Sequence, residues 1–422
     1  MKQNYLIKGL LSLFLVGMVT IGFAKDIFVA TTGNDKNPGT KEQPVLTFNK
    51  ALSLAKGAKE DAVIKFSGAI KLDKTFDLNG TQCNHLVTVE GLEPDRSKNV
   101  LTKADGRVIN IHEGANFAMK NLTVTGQNTT GAVSEFSGES TVTLTNCAFI
   151  GNKAETSIYG GALRANKVTL TLTDCLFDGN VSKKAGALSA NQCKLTAKGT
   201  TFSNNRSVGD KGGAVQLEKC VSVFDHCTFK DNKSDFHAGA VYVSGGNFTG
   251  ASLKMTDCVL TGNHADKSGG AIYYEIQNPN GDFKSEFINT TISKNSTNEI
   301  GGAMRYVGGP ASVAKHTIDF INCTITENTT ERGVADAGGL YIEGPSMKIK
   351  IHGTKIEKNL ALKDGHKKYS DLRVANYDAN EHEANFSIKN AVIGRVSGAD
   401  LIPEDNSSID ESPEIGRASC RE

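Results

Sequence analysis

Cysteines, acid–histidine pairs, and a set of tyrosines and arginines that return at one spacing are the side chains of this sequence best suited to chemistry. Five cysteines, Cys147, Cys175, Cys227, Cys258 and Cys323, hold one equivalent place in successive copies of a repeat, and Thr200 and Thr290 hold it in two others. Cys193 and Cys220 form a second equivalent pair on neighbouring copies. A zinc or redox centre needs thiolates and imidazoles at ligand spacing, yet no Cys-x-x-Cys occurs and His226 is a lone neighbour of Cys227. The expectation is a stack of buried free thiols with no metal and no cofactor, a disulfide between Cys193 and Cys220 being left open.

Polysaccharide cleavage asks for a different set. Elimination beside a uronate needs a Lys or Arg base near carboxylates that neutralise the substrate directly or through Ca²⁺, and inverting hydrolysis needs paired carboxylates that activate water. No dense acidic set lies on successive repeats, and no Asp-Asp pair or Asn-Thr-Asp phrase occurs. Gly365-His366 is placed in a charged loop, and Asp225-His226 and Glu381-His382-Glu383 are read as solvated turn chemistry. Because a site on a repeat fold is assembled from separate copies, a polysaccharide lyase or other carbohydrate-active enzyme stays as the alternative function, and a structural stalk as a third.

The element that must position these side chains is the repeat. The phrase Asn146-Cys147-Ala148-Phe149-Ile150-Gly151-Asn152 returns as Asp174-Cys175-Leu176-Phe177-Asp178-Gly179-Asn180, with further copies ending at Asn205, Asn232, Asn263, Asn295, Asn328 and Asn359. A second phrase of two small residues, Ala and a strand alternates with it, as in Gly160-Gly161-Ala162-Leu163, Ala185-Gly186-Ala187-Leu188 and Gly212-Gly213-Ala214-Val215, closing on the variant Ala337-Gly338-Gly339-Leu340. A spacing of roughly 25 to 36 residues marks solenoids and propellers. Short alternations such as Val168-Thr169-Leu170-Thr171-Leu172 exclude helical repeats, and about three short strands per unit fit a coil better than a four-stranded blade.

The predicted fold is therefore all-β, a right-handed parallel β-helix whose equivalent residues stack about 4.8 Å apart along the axis. The Asn of the first phrase is expected at a left-handed turn, its Cys and Phe inward, and the glycines of the second phrase at a tight, positive-φ corner. Asn-x-Ser/Thr triplets, such as those at Asn289 and Asn328, follow from the repeat's composition and are not read as glycan acceptors.

On the strands after the small-residue corner, the central outward residues are Arg164, Ser189, Gln216, Tyr242, Tyr273, Arg305 and Tyr341. Asn166, Asn191, Glu218, Ser244, Glu275, Gly308 and Glu343 are placed at the next outward position. An exposed Tyr and Arg stripe edged by Glu could stack on sugar rings and bond their hydroxyls, or contact a protein. Arg164, Gln216, Tyr242, Tyr273, Arg305 and Tyr341 are the candidate binding residues, set against the plainer reading that outward Tyr suits a sheet surface. No catalytic residue is assigned.

The paired Gly-Gly-Ala-Ile and Phe-x-x-Asn phrases resemble the repeats of polymorphic outer membrane proteins over roughly residues 120 to 360. That resemblance implies a bacterial β-helical surface protein, an adhesin of the autotransporter type, with host or microbial surface glycans or proteins as partners. The segment Ile27-Phe28-Val29-Ala30-Thr31-Thr32-Gly33-Asn34-Asp35 through Asn37-Pro38-Gly39-Thr40 is similar to the opening of pectate-lyase-like β-helix proteins, which implies fold and not activity. Polymorphic outer membrane proteins end in a membrane β-barrel, which cannot be read here. Membrane association is expected only through a C-terminal segment beyond the sequence given.

Residues 1–24 read as a signal peptide, since Lys2 and Lys8 flank an apolar run from Gly9 to Ile21 that closes on Gly22-Phe23-Ala24. The run is shorter than the roughly 20 apolar residues of a bilayer crossing. Residues 25–60 are expected to hold a strand and a helix capped by Thr47, with Phe48, Ala51, Leu52 and Ala55 on one face and Gly57 past its end. That helix would cover the strand edges of the first coil. The β-helix is placed at 61–400 and a C-terminal segment at 401–413. Residues 414–422 can be encoded by DNA that contains a common sequencing-adapter sequence, so they, with Cys420, are expected to be adapter read-through and the reading frame a fragment. Lys and Arg number 47 against 46 Asp and Glu, which leaves no basic excess for nucleic acid. The expected product is a secreted or outer-membrane-associated protein of adhesion or extracellular recognition.

Overall fold

The computed structural model describes residues 24–410, apart from 127–130, 155–158, 246–249, 277–282, 309–315, 332–336, 344–346, 364–365, 376–385, 398–402, 404 and 406. The proposed signal peptide up to residue 23 and the segment from residue 411 onward lie outside the described residues, as does the Glu381-His382-Glu383 triplet.

One coil shows the plan. Leu163–Asn166 forms face A, Thr169–Thr173 face B, Leu176–Asp178 face C and the two-residue Val181–Ser182 face D, after which the chain turns into face A of the next coil at Leu188–Asn191. Each strand pairs in parallel with its equivalent one coil on: Leu163 with Leu188, Thr169 with Lys194, Leu176 with Thr201 and Val181 with Arg206. Face B runs through thirteen described strands from Lys25–Val29 to Phe386–Lys389. The chain is a right-handed parallel β-helix, as its alternation predicts. Among the described residues no helix is long and apolar enough to cross a membrane.

Inward positions form continuous ladders. Phe149, Phe177, Phe202 and Phe229 stack with ring centroids 4.9 Å apart and planes within 10° of parallel, because the coil rise sets the spacing of flat rings on equivalent residues. Cys147, Cys175, Cys227, Cys258 and Cys323 are buried free thiols in one column, and Thr200, Thr290 and Thr354 take rungs of it. The Thr hydroxyls accept from the backbone N–H of the Cys one coil back, at 3.4 Å from Cys175 and 3.0 Å from Cys323. Burial pushes the Cys175 thiol up to about 11, so this thiol is a poor nucleophile at neutral pH.

The residue that opens the first phrase sits at the expected left-handed turn, as Asn146, Asp174 and Asn289 do at φ 50°, 52° and 50°, but the Asn that closes the phrase does not. Asn152, Asn180, Asn205, Asn232, Asn263, Asn295, Asn328 and Asn359 are all buried. The left-handed conformation belongs instead to the residue before each, for example Gly151, Asn204, Asp231 and Lys358 at φ 61°, 54°, 55° and 62°. That kink swings the Asn side chain into the coil. Asn205 Nδ2 donates to Asn232 Oδ1 at 2.9 Å and to the Phe177 carbonyl at 2.9 Å, while its own Oδ1 accepts from the backbone and side chain of Asn180 at 3.0 and 2.8 Å. The ladder ends on Asp371, whose Oδ1 accepts both Asn359 donors at 2.8 Å and whose Oδ2 accepts from the Arg395 N–H at 2.9 Å. A terminal rung needs only to accept, which a carboxylate does. With Asn328 fully buried in the ladder, its triplet has no room for a glycan.

The second phrase divides its labour. Its first small residue takes positive φ in most copies, as Ala185, Gly212 and Ala238 do at 59°, 81° and 61°, Gly160 being an exception. Its second is held against the next coil: a Cβ on Gly213 would lie 2.0 Å from the Gly239 carbonyl oxygen. Ala is therefore admitted at the first place and Gly is required at the second.

The helix Phe48–Lys56 closes the N-terminal end. The Thr47 hydroxyl accepts from the Lys50 N–H at 3.2 Å, and Phe48, Ala51, Leu52 and Ala55 are buried against the first coil, with the Phe48 ring 5.3 Å from that of Phe66. Gly57 lies past its end in a right-handed conformation, φ −81°.

Candidate binding site

Face A carries the candidate residues in one outward ladder. Register places Arg164, Ser189, Gln216, Tyr242, Tyr273, Arg305 and Tyr341 side by side on successive coils, preceded by Asp77, Asn110 and Glu135 and followed by Arg373. The neighbouring ladder has Val307, not Gly308, between Glu275 and Glu343.

Outward is not exposed here. Tyr242 and Tyr273 are 5% and 6% accessible and Gln216 1%, while Arg164, Arg305 and Tyr341 are half-buried. The cover comes from the residue just before each small-residue pair, a column made of Tyr159, Lys184, Lys211, His237, Ser268 and Ile300. These side chains bracket face A and split the expected stripe into a sealed half and an open half.

In the sealed half, Tyr242 and Tyr273 pack with Ala238 and Val307. The His237 ring stacks on Tyr273 at 4.3 Å, and Lys211 Nζ lies 4.8 Å from the centre of the Tyr242 ring. Lys211 also pairs with Glu275, which accepts from the Tyr242 hydroxyl at 2.7 Å. Arg305 stands 5.7 Å from both the Tyr273 and Tyr341 rings and pairs with Glu343 at 3.2 Å. Burial, reinforced by Lys211 and Arg305, holds the His237 imidazole down at about 4, so it is neutral at pH 7. Burial would raise the Glu275 carboxyl, but the hydrogen bonds from Lys211 and Tyr242 outweigh it and hold the group below its usual value.

The open half is a polar recess of about 270 Å³ lined by Tyr159, Arg164, Lys184, Ser189, Gln216 and Glu218. The Arg164 guanidinium lies 3.6 Å from the centre of the Tyr159 ring and pairs with Glu135 at 3.0 Å, where Arg107 also pairs. Lys184 Nζ is 3.7 Å from Asp210 and 3.8 Å from Glu218. Gln216 Nε2 donates to Glu218 Oε1 at 2.7 Å, and its buried Oε1 has no partner. The amide cannot sensibly be turned over, since that would set Oε1 against a carboxylate.

Arg164 and Gln216 thus meet in the recess, whereas Tyr242, Tyr273, Arg305 and Tyr341 belong to the sealed cluster. Tyr159 and Lys184 were missed by alternation on the strand because they lie on the corner before it. The signal was present as a polar or aromatic column directly ahead of the small-residue phrase.

Other chemistry is sparse. Asp225, His226 and Asp257 bring ligand atoms within 4.8 Å of one another on the corner between faces B and C. His226 Nδ1 is 2.7 Å from Asp225, Lys198 reaches Asp225 at 3.8 Å and Asn289 donates to Asp257 at 3.1 Å, so these acids are already engaged as turn residues.

No curated protein matches the sequence. Among solved structures, the chain is similar to the Acinetobacter phage vB_ApiP_P1 tailspike protein, with 12% identity and a TM-score of 0.37 over 84% of this chain, and it spans 57% of the tailspike chain. It is also similar to a rhamnogalacturonan lyase, with 12% identity and a TM-score of 0.31 over 90% of each chain. A third is the catalytic domain of a GH87 alpha-1,3-glucanase in complex with nigerose, at 10% identity and a TM-score of 0.35 over 92% of this chain and 68% of that one. Within the sequence, residues 107–280, which include every residue that lines the recess, match the family described as the right handed beta helix region.

Proposed function

We propose that the protein is a secreted or cell-surface β-helix that recognises glycans through face A, and that adhesion is the use of this recognition. Gln216 carries the reading. Gln216 lines the polar recess, and its Oε1 is a buried acceptor without a partner in the recess wall. Such an atom left unpaired costs about 1–3 kcal/mol, and a ligand hydroxyl or N–H that reaches it recovers that cost. Glycan is favoured over protein because Tyr242 and Tyr273 are sealed, so the face does not offer the aromatic anchors of a protein interface. The likeness of the repeat phrases to polymorphic outer membrane proteins supports the surface location and the adhesive use on host or microbial cells.

The test is a glycan array and a cell-surface binding assay with the full chain. Replacing Arg164 and Lys184 together with Met should abolish retention, and Lys194→Met on exposed face B should leave it unchanged. A chain that retains no glycan, or whose retention ignores the face A substitutions, overturns the reading.

A further inference from the structure

We infer that the recess is a subsite for one uncharged pyranose ring, oriented by a hydroxyl that donates to Gln216 Oε1. The inference rests on the glycan reading above and names its ligand class. Size is the first argument: about 270 Å³ falls just short of small-molecule pockets, which run from about 300 Å³ upward, and so suits no more than a single ring.

Charge is the second. Every ionic group of the lining is already answered, Arg164 by Glu135, and Lys184 by Glu218 and Asp210. An ionised sugar would have to break one of these pairs and would place its carboxylate near that of Glu218. A neutral polyol disturbs none of them.

Bonding is the third. Gln216 Nε2 is spent on Glu218, which fixes Oε1 as an acceptor. Beside it stand a second acceptor, the Glu218 carboxylate, and a donor, the Lys184 ammonium. A vicinal diol matches that order, since each hydroxyl has one hydrogen to donate and lone pairs to accept. One hydroxyl bonds Gln216, and its neighbour bridges Glu218 and Lys184. The Tyr159 face is occupied by the Arg164 guanidinium, so hydroxyl reading rather than ring stacking selects the sugar.

Saturation-transfer NMR and calorimetry on the full chain would decide it, using methyl hexopyranosides, their monodeoxy derivatives and the matching hexuronates. A neutral methyl hexoside should bind with a Kd of about 1 mM, and removal of one particular hydroxyl should weaken it about tenfold or more. Gln216→Met should erase the difference between that deoxy sugar and its parent. The deoxy series reads the same contact even if the variant fails to fold. Equal binding of all deoxy sugars, or tighter binding of the hexuronate, overturns the inference. Absence of any monosaccharide binding while face A still retains glycans overturns the subsite and leaves the recognition reading standing; absence of all glycan binding removes both.

Discussion

The Tyr242 hydroxyl donates to Glu275 Oε2 across one coil at 2.7 Å, and Lys211 from the preceding coil's corner pairs with the same carboxylate. The cover over the aromatic half of face A is thus pinned by one carboxylate that serves two partners. Tyr242→Phe keeps the packing and removes one bond to a charged acceptor, so it should lower stability by about 1–2 kcal/mol. Urea unfolding followed by circular dichroism, with exchange protection of the Lys211–Ala214 amides as the local readout, would measure the loss.

Acid should loosen the same cover. His237 is held neutral down to about 4, below its ordinary 6.5, so the unfolded chain binds more protons there and stability falls as pH drops from about 6.5 toward 4. Glu275 is also depressed, and its contribution is lost as pH falls through its folded value, in the same direction. The His237 effect is on the order of 1 kcal/mol once its residual exposure is discounted. Urea midpoints taken between pH 7 and 4 should fall less steeply in His237→Phe, which keeps the ring stacked on Tyr273 without a titrating group; an unchanged slope would discharge His237 from this role.

The asparagine ladder makes a sharper demand. Asn205→Ala leaves the Asn180 backbone N–H and Nδ2 without their acceptor and should cost about 2–4 kcal/mol. Asn205→Asp restores the acceptor and loses the donation to Asn232 and Phe177, so it should be no milder than Ala, although Asp stands in the terminal rung at residue 371. Thermal unfolding of the two variants side by side gives the order.

The two small residues of the corner should respond oppositely. Gly239→Ala would set a Cβ 2.1 Å from the Gly270 carbonyl oxygen and should cost about 3 kcal/mol or more, whereas Ala238→Gly, which relieves a positive φ of 61°, should be nearly neutral. Soluble yield and melting temperature report both.

Much of the fold was legible because the repeat carries its own register. The Phe and Cys columns, the Thr that replaces Cys at 200 and 290, the small-residue corner and the capping helix at Thr47 all follow from period and residue type. The left-handed turn at Asn146 is legible in the same way, whereas the role of the closing Asn is not, because the residue before it takes the kink and frees that Asn to bond along the axis. The candidate site was only half legible. Alternation along a strand tells which way Tyr242 and Tyr273 point, but their exposure is decided by His237 and Lys211, contributed by corners whose side chains fold back over the strands. The Val307 position likewise needs the paired register, since the neighbouring Gly308 pairs with Ile276.

Face A as a glycan-binding surface is tested most directly by the affinity of the full chain for its best array ligand, compared between wild type, Lys184→Met and Lys194→Met. Lys184 lines the recess and Lys194 stands exposed on face B of the same coil. The account predicts a dissociation constant about tenfold weaker or more for Lys184→Met, the loss of roughly one charge-assisted hydrogen bond, and an unchanged constant for Lys194→Met. Equal affinity in all three proteins would contradict it.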